Sequence, residues 1–445
     1  MSIAVTGDSS PDSPAPELVI DIRLIRESAD SVRAALARRG QDLDARIDRI
    51  IELDRSWREV LKRVEVLKAE RNRSSEEVSR LKQQKADATT LLAQLKQLSD
   101  EIKQLDQELR AVEQELGEEL LFVPNIPADE LPDGDESANR TVRSWGDPPE
   151  FDFEPKPHWE VGANLGILDL PRGAVIAGSG FPLFKQMGAR LVRSLINFMI
   201  DIHVREHGYV EVAPPLLVTK DTATATGQIP DLEGNMYVTV DGLYLIPTAE
   251  VPVTNIHRET VLTADQLPSC YVAYTPCFRR EAGAHGKDTR GIIRVHQFDK
   301  VELVRFCRPE DSRNELETIL RHAETVLQRL ELPYRVVLLA AGDIGFASAM
   351  TYDLELWAAG VGKWLEVSSA STFTDFQSRR ANIRYRPQPR AKPEYVHTLN
   401  ASGVALPRTI IALLENNQQP DGSVRIPEAL VPYLGTDCLK PDGAA

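Results

Sequence analysis

The stretch CFRREAGAHGKDTRGIIRVHQFDKVEL, Cys277 to Leu303, holds four arginines and a glycine-rich loop between two runs of alternating residues. Run, polar turn-back and run predict two antiparallel strands joined by the loop EAGAHGKDTRG, Glu281 to Gly291. Side chains alternate along a strand, so Arg279 and Glu281 are predicted on one face of the first and Arg280 on the other. On the second, Arg294, His296, Phe298, Lys300 and Glu302 share a face, while Val295, Val301 and Leu303 point toward a core. Phe298 and Glu302 then stand about 13 Å apart at roughly 3.3 Å per residue, a span that fits a nucleotide. The simpler reading of such a ribbon is charge facing solvent, and the sequence further out decides between the two.

Three more segments carry side chains of related kinds. TAE, Thr248 to Glu250, is predicted to set a hydroxyl and a carboxylate on one strand face. WLEVSS, Trp364 to Ser369, offers Glu366 and two serines, hard oxygen donors of the sort a magnesium ion prefers. NASGVALPRTIIALLENNQ pairs a glycine-containing turn, Asn400 to Gly403, with a helix led by Arg408. Together these describe a site for two anionic ligands and a metal ion. No glycine–lysine phosphate loop and no G-x-G-x-x-G occurs, so arginine is left to take up phosphate. The eight histidines are scattered and no Ser/His/Asp or Cys/His arrangement stands out, so the nucleophile is expected to belong to the substrate.

The body around these segments alternates short strand-like runs with two convincing helices and shows no strand–helix–strand repeat, which predicts an antiparallel α+β domain. Its first long helix is expected from about Phe184 to His207. The strand YVEVAPPLLV that follows is confined by Pro214-Pro215 to an edge, a bulge or an interface. At 445 residues, with 42% apolar and 27% charged residues, the chain reads as soluble and built of two or more structured units. A net charge of −15 argues against general affinity for nucleic acid or membrane surfaces. Cys270, Cys277, Cys307 and Cys438 form no C-x-x-C pair and are expected to be reduced packing residues in the cytoplasm. No signal peptide or membrane span is visible, and the Ser/Pro/Asp-rich residues 1–17 read as a disordered tail.

Toward the N-terminus the pattern changes. After an amphipathic stretch that Gly40 closes, Leu53, Trp57, Val60, Val64 and Leu67 recur at steps of four and three, and Val78 and Leu81 resume the register. A second seam runs Leu91, Leu95, Leu98, Ile102, Leu105, Leu109, Val112, Leu116. The polar KQQKADATT, Lys82 to Thr90, between them predicts an antiparallel coiled-coil hairpin on the order of 50 Å long. Arg55 to Lys85 carries ten Lys or Arg against five Glu, a local excess of +5 on an acidic chain. Heptads of this kind often only dimerise, their charges solvated, but the charge contrast points to a polyanion. The segment FVPNIPADELPDGDESANR then marks a boundary.

From about Val19 to Gly435 the chain resembles the seryl-tRNA synthetase family: DIRLIRE, the arm, NIP, TAE-VP, FRREAG…DTRG…VHQFDKVEL, TYDLE, EVSS…TDFQ-RR-IRYR and LN-SG…PRT…LLENNQ…DGSVRIPEAL follow in order. The resemblance implies a class II synthetase, an antiparallel sheet flanked by helices, acting as a homodimer through the first long helix and the proline strand. The tail at residues 1–17 has no counterpart in the family, and past it the resemblance implies a tRNA-binding helical arm at 18–121, a linker at 122–140 and a catalytic domain at 141–445. The implied reaction joins L-serine to ATP as seryl-adenylate and passes the seryl group to the terminal adenosine of serine tRNA, with selenocysteine tRNA left open. The arm would lie on the tRNA and read shape and backbone.

The resemblance also implies roles by residue. Thr248, Ala249, Glu250, Arg279, Glu302 and Ser402 would bind serine, with Glu302 and Ser402 on its hydroxyl. Arg279, Arg280, Glu281, Arg294, Val295, Phe298, Glu366, Val367, Ser368, Ser369 and Arg408 would bind ATP, Phe298 and Arg408 enclosing adenine. Glu366 and Ser369 would hold Mg2+, and Arg279 and Arg408 would be the catalytic residues, acting by alignment and charge neutralisation. Met350 departs from the family's usual lysine before TYDLE, so a cationic contact is missing or supplied elsewhere, and NASG replaces the frequent NGSG. Met350 raises the alternative of a catalytically impaired tRNA-binding paralogue. A ligase for aminoacyl carrier proteins would share the body but lack the arm, and a purely structural coiled coil would not need the arginine, Phe298 and Glu302 display.

Overall fold

The computed structural model describes residues 20–282 and 290–441, so the tail read at residues 1–17 and the loop centre at 283–289 lie outside the described residues. The chain divides into two compact units, one of residues up to 37 and 41–124, the other of residues 38–40 and 125 onward.

The first unit is dominated by two long helices, α1 (Asp44–Gln83) and α2 (Thr89–Leu121). At about 1.5 Å per residue they extend roughly 60 and 50 Å. The turn between them contains Lys85 at φ +55, and Asp87 accepts hydrogen bonds from the Thr89 N–H and hydroxyl at 2.9 and 2.6 Å. The two seams meet: Val60, Val64 and Leu105 form a buried cluster with Leu67 and Leu109 against it. Arg46–Glu119, Arg49–Glu115 and Arg63–Glu101 pair across, numbers rising on α1 as they fall on α2, which fixes the antiparallel register, and Lys68 also reaches across to Asp106. Leu81, Leu91 and Leu95, near the turn, are only half-buried, because two helices alone cannot enclose a seam on every side.

The second unit is built on an eight-stranded sheet of β1 (Arg140–Trp145), β2 (Val210–Glu211), β3 (Ser269–Phe278), β4 (Gln297–Cys307), β5 (Tyr334–Leu338), β6 (Met350–Ala358), β7 (Lys363–Thr374) and β8 (His397–Ala405). Their order is β1-β5-β6-β7-β8-β4-β3-β2. Every pair is antiparallel except β2 with β3, which is parallel at the edge. The helices that matter to the site are α3 (His158–Asn164), α4 (Met187–Arg205), α5 (Glu250–Thr254), α6 (Ser312–Arg329), α7 (Phe376–Ala381) and α8 (Leu406–Asn416). Apolar stripes on α4 (Leu191, Leu195, Met199), α6 (Leu316, Ile319, Leu320) and α8 (Ile410, Ile411, Leu414) close one continuous core with the sheet. α4 ends before Gly208 at φ +72, and the proline strand is broken into β2 and a separate short ribbon, Leu217–Val218.

Several local expectations are corrected. β3 ends at Phe278, so Arg279 to Glu281 are not strand, and Glu281 sits at φ +48. β4 begins only at Gln297, leaving Arg294 and His296 on the turn before it. Its residues 300–307 are buried on both faces, since β4 lies inside a covered sheet. Thr248 and Ala249 lead into α5 at Glu250 instead of forming a strand. Asn400 to Gly403 is strand β8, not a turn. All four cysteines are free. No helix of the described residues is long and apolar enough to cross a membrane.

Candidate active site

A cavity of about 190 Å3 opens between the turn before β4, strand β7 and the start of α8. Its lining brings together Arg279, Glu281, Arg294, Val295, Phe298, Glu366, Val367, Ser402 and Arg408 with Lys300. Nine residues marked from the sequence thus share one wall, although period-two reasoning misplaced several. Arg279 is drawn in because its N–H bonds the His296 carbonyl at 2.9 Å while the His296 ring returns to the Arg279 carbonyl at 3.1 Å. Its guanidinium lies 5.1 Å from the Phe298 ring centroid. Arg294 pairs with Glu281 at 3.3 Å. Arg280 does not line the cavity; its N–H bonds the Asn235 carbonyl and its guanidinium points to the Gly234 carbonyl at 3.3 Å. A neighbouring cavity of about 230 Å3 shares Phe298 and Pro407, but its other walls are mostly apolar.

Two β-bulges aim the polar side chains. On β7 the register slips between Glu366 and Ser368, which reverses the alternation and lets the Ser369 hydroxyl reach Glu366 at 3.2 Å and Asp353 at 2.7 Å. On β8 it slips just after Ser402, between Ser402 and Val404, and Ser402 itself lies opposite Glu302. Arg408, at the start of α8, donates to the Glu366 backbone carbonyl and pairs with its carboxylate at 3.4 Å. Burial alone would push the Glu366 carboxyl up, but the guanidinium groups of Arg408 and Arg279 outweigh it and hold the carboxyl below its ordinary range. Asp353 goes the other way, raised by burial and then by the charge of Glu366. Glu366, Ser369 and Asp353 thus form a patch of hard oxygens beside an arginine.

Beneath the cavity lies a second carboxylate cage. Glu302 is buried and pairs with the Lys300 ammonium at 2.7 Å, and the Ser402 hydroxyl lies 3.4 Å away. The Asn400 amide donates to both Glu302 and Glu250 at 3.0 Å each, and Gln377 on α7 donates to Glu250 at 2.6 Å. Gln377 is itself held by the Thr398 hydroxyl at 2.8 Å. The Thr248 hydroxyl accepts from the Glu250 N–H at 3.2 Å, which ties Thr248, Ala249 and Glu250 into the cage. Burial, then the charge of Glu302, raises the Glu250 carboxyl to about 7, against the pull of Gln377 and Lys300. Ser368 turns its hydroxyl to the Ser402 carbonyl at 2.7 Å. Sequence reasoning passed over Asn400, Gln377 and Asp353 as partners; the only signal was their place inside the quoted LNASG, TDFQ and TYDLE strings.

Met350 is buried in the core and pairs with Thr372 at the far end of β7, and it does not line the cavity. A cation does stand beside it: the Arg313 guanidinium touches the Met350 sulfur and donates to the Tyr352 hydroxyl at 3.2 Å.

This geometry can be set beside known proteins. The family model for the seryl-tRNA synthetase N-terminal domain matches residues 19–127, and that for the class II tRNA synthetase core domain (G, H, P, S and T) matches residues 238–417. A serine–tRNA ligase of Gemmatimonas aurantiaca is 53% identical over 94% of this chain and 99% of its own. One of Thermodesulfovibrio yellowstonii is 52% identical over 95% and 100%. Among solved structures, seryl-tRNA synthetase from Pyrococcus horikoshii complexed with ATP superposes with a TM-score of 0.89 at 38% identity, covering 95% of this chain and 99% of that one. The cytoplasmic serine–tRNA ligase of Naegleria fowleri in complex with AMP gives 0.84 at 31% identity over 96% and 99%.

Proposed function

Since this chain belongs to the seryl-tRNA synthetase family, with the class II fold and the ligase activity that activates serine with ATP and charges tRNA, we propose how its own residues divide that work. The observation that carries the assignment is the meeting of Arg279, Phe298, Glu366 and Arg408 in one cavity, with Glu302 one contact behind it through Lys300 and Ser402.

ATP takes the lined cavity. Adenine lies against Phe298 and Arg408, Glu281 faces its amino group, and Val295 and Val367 close the walls. Arg279 bridges the serine carboxylate and the α-phosphate, and Arg294 meets the outer phosphates. The serine carboxylate then attacks the α-phosphorus, whose bond to the oxygen bridging to the β-phosphate breaks so that pyrophosphate leaves and seryl-adenylate remains, while the guanidinium groups offset the charge that builds there. Mg2+ fits the hard oxygens of Glu366 and Ser369, a small donor set that suits an ion sharing its shell with phosphates, and it would supply further charge neutralisation. Arg280 and Ser368 stay one layer outside, Arg280 at the rim and Ser368 bracing the Ser402 backbone.

Serine takes the cage. Its ammonium group meets Glu250 and Thr248, with Ala249 at the wall, and its hydroxyl meets Glu302 and Ser402. A buried carboxylate left without its hydroxyl partner disfavours alanine strongly. The helical arm binds serine tRNA, and selenocysteine tRNA remains a second substrate to be assayed. Two copies assemble through α4 and β2, whose exposed Val210 and neighbouring Leu217 favour a covered edge. The reaction is placed in the cytoplasm.

Serine-dependent exchange of pyrophosphate into ATP tests the assignment. Glu302→Gln should cut kcat/KM for serine by roughly 100-fold or more while KM for ATP stays within about twofold. Unchanged serine use would remove Glu302 from the hydroxyl subsite. Absence of exchange in the wild type, with tRNA still bound, would favour the impaired paralogue, and transfer to a carrier protein in place of tRNA the carrier ligase.

A further inference from the structure

Outside the lining of the cavity, a histidine and a glutamate grip the segment from which Arg294 projects. Glu415, near the end of α8, is fully buried and accepts four hydrogen bonds. Two come from His158, through its backbone N–H at 2.8 Å and its ring Nδ1 at 2.7 Å, and two from the N–H groups of Gly360 and Val361 at 2.8 and 3.0 Å. Nε2 faces a backbone N–H, so it keeps its lone pair, and Nδ1 carries the hydrogen that it donates to Glu415. That lone pair faces the N–H of Ile292 at 3.1 Å, a group that can only donate. The two bonds together select one neutral tautomer of a fully buried imidazole.

The fit around this contact is close. Gly291 runs at φ +75, and a Cβ there would lie 2.0 Å from His158 Nε2. Next to it the Arg290 guanidinium lies 4.6 Å from the Trp159 ring centroid. Ile292 is itself fully buried. Two and three residues on come Arg294 and Val295, which line the cavity. The start of α3 thus holds residues 290–292 by one hydrogen bond, one steric stop and one cation–π contact, and Glu415 fixes the imidazole that supplies the first.

We infer that His158 and Glu415 are positioning residues, which hold the 290–295 segment so that Arg294 stands where the nucleotide phosphates bind. The inference rests on the phosphate role proposed for Arg294. Without an acceptor the Ile292 N–H is a buried donor with no partner, and the segment gains by shifting until water reaches it.

His158→Asn and His158→Gln separate the two halves of the contact, because asparagine mimics the Nδ1 donor toward Glu415 while glutamine extends to the Nε2 position. Pyrophosphate exchange by the full-length protein, with ATP and serine titrated separately, should show His158→Asn losing about tenfold or more in kcat/KM for ATP. Its KM for serine should stay within about twofold, and His158→Gln should recover a large part of the loss. Equal losses toward both substrates, or unchanged kinetics in a variant that melts like the wild type, would overturn the inference. Should His158→Asn fail to fold, hydrogen exchange of the wild type decides: the Ile292 amide should be protected, and exchange at the rate of an open loop counts against the contact. Loss of exchange activity in the wild type itself would instead strike the synthetase assignment, leaving the hydrogen-exchange result to stand or fall alone.

Discussion

Glu250 shares one amide, that of Asn400, with a second buried carboxylate, and this has a pH signature. Burial and the charge of Glu302 raise its carboxyl to about 7, against 4.5 for an unperturbed glutamate. The folded protein therefore keeps a proton that the unfolded chain releases between those values. The stabilisation linked to that proton is complete below about 4.5 and is lost as pH rises to about 7. Glu250→Gln, which mimics the protonated form, should gain on the wild type across that interval and level off above it, by on the order of a few kcal/mol. Denaturant unfolding between pH 5 and 8 measures this, and a gap that does not move with pH would mean the raised carboxyl is wrong. Serine activation should show the opposite trend, kcat/KM for serine rising as Glu250 ionises, because an ammonium group needs the carboxylate. Arg279, Phe298, Glu302 and Arg408 were legible in the sequence because guanidinium, ring and acid are conspicuous among apolar runs, wherever the strand ends fall. Asn400 and Gln377 were not, since an amide's role depends on which two acids the fold brings within its reach.

At the level of elements, the sequence marked where strands and helices lie better than which way their side chains point. Alternation fails wherever one extra residue enters a strand, and both site strands, β7 and β8, carry such a slip beside the residues that matter. It fails at Arg279 to Glu281 for another reason: the strand has already ended, and Glu281 adopts a left-handed backbone that no hydrophobic pattern reveals. The heptad seams of α1 and α2 were fully legible, because a 3.5-residue repeat over four turns or more has few other causes. Leu105 is the buried centre of that seam, between Val60 and Val64. Leu105→Ala should therefore destabilise the hairpin by about 2–5 kcal/mol. In circular dichroism this appears as an early helical transition, and tRNA charging should fall while pyrophosphate exchange keeps its rate. An equal fall in both would show that the hairpin is needed for adenylate formation as well.

For the whole molecule the issue is how a chain of net charge −15 takes up a polyanion at all. The excess of +5 between Arg55 and Lys85 was legible by counting, but counting does not show which charges are already engaged. Arg58, Arg63, Lys68 and Arg80 pair with Asp54, Glu101, Asp106 and Glu77 within the arm. Arg55, Lys62, Arg71, Arg73, Lys82 and Lys85 form no ion pair among the described residues, so at most six cations of this stretch are free to displace counterions from a tRNA backbone. Each neutralised phosphate contributes roughly 0.7–0.9 to the slope of log affinity against log salt, which bounds this stretch at about −4 to −5. Replacing Arg71, Arg73 and Lys82 together by glutamine should flatten the slope by about 2 to 3 and weaken tRNA binding most at low salt. Pyrophosphate exchange, which needs no tRNA, should be unaffected. Fluorescence titration of serine tRNA from about 50 to 200 mM salt reads the slope directly. An unchanged slope would move the electrostatic contact off this stretch of the arm, and the basic excess would then be a solvated outer face after all.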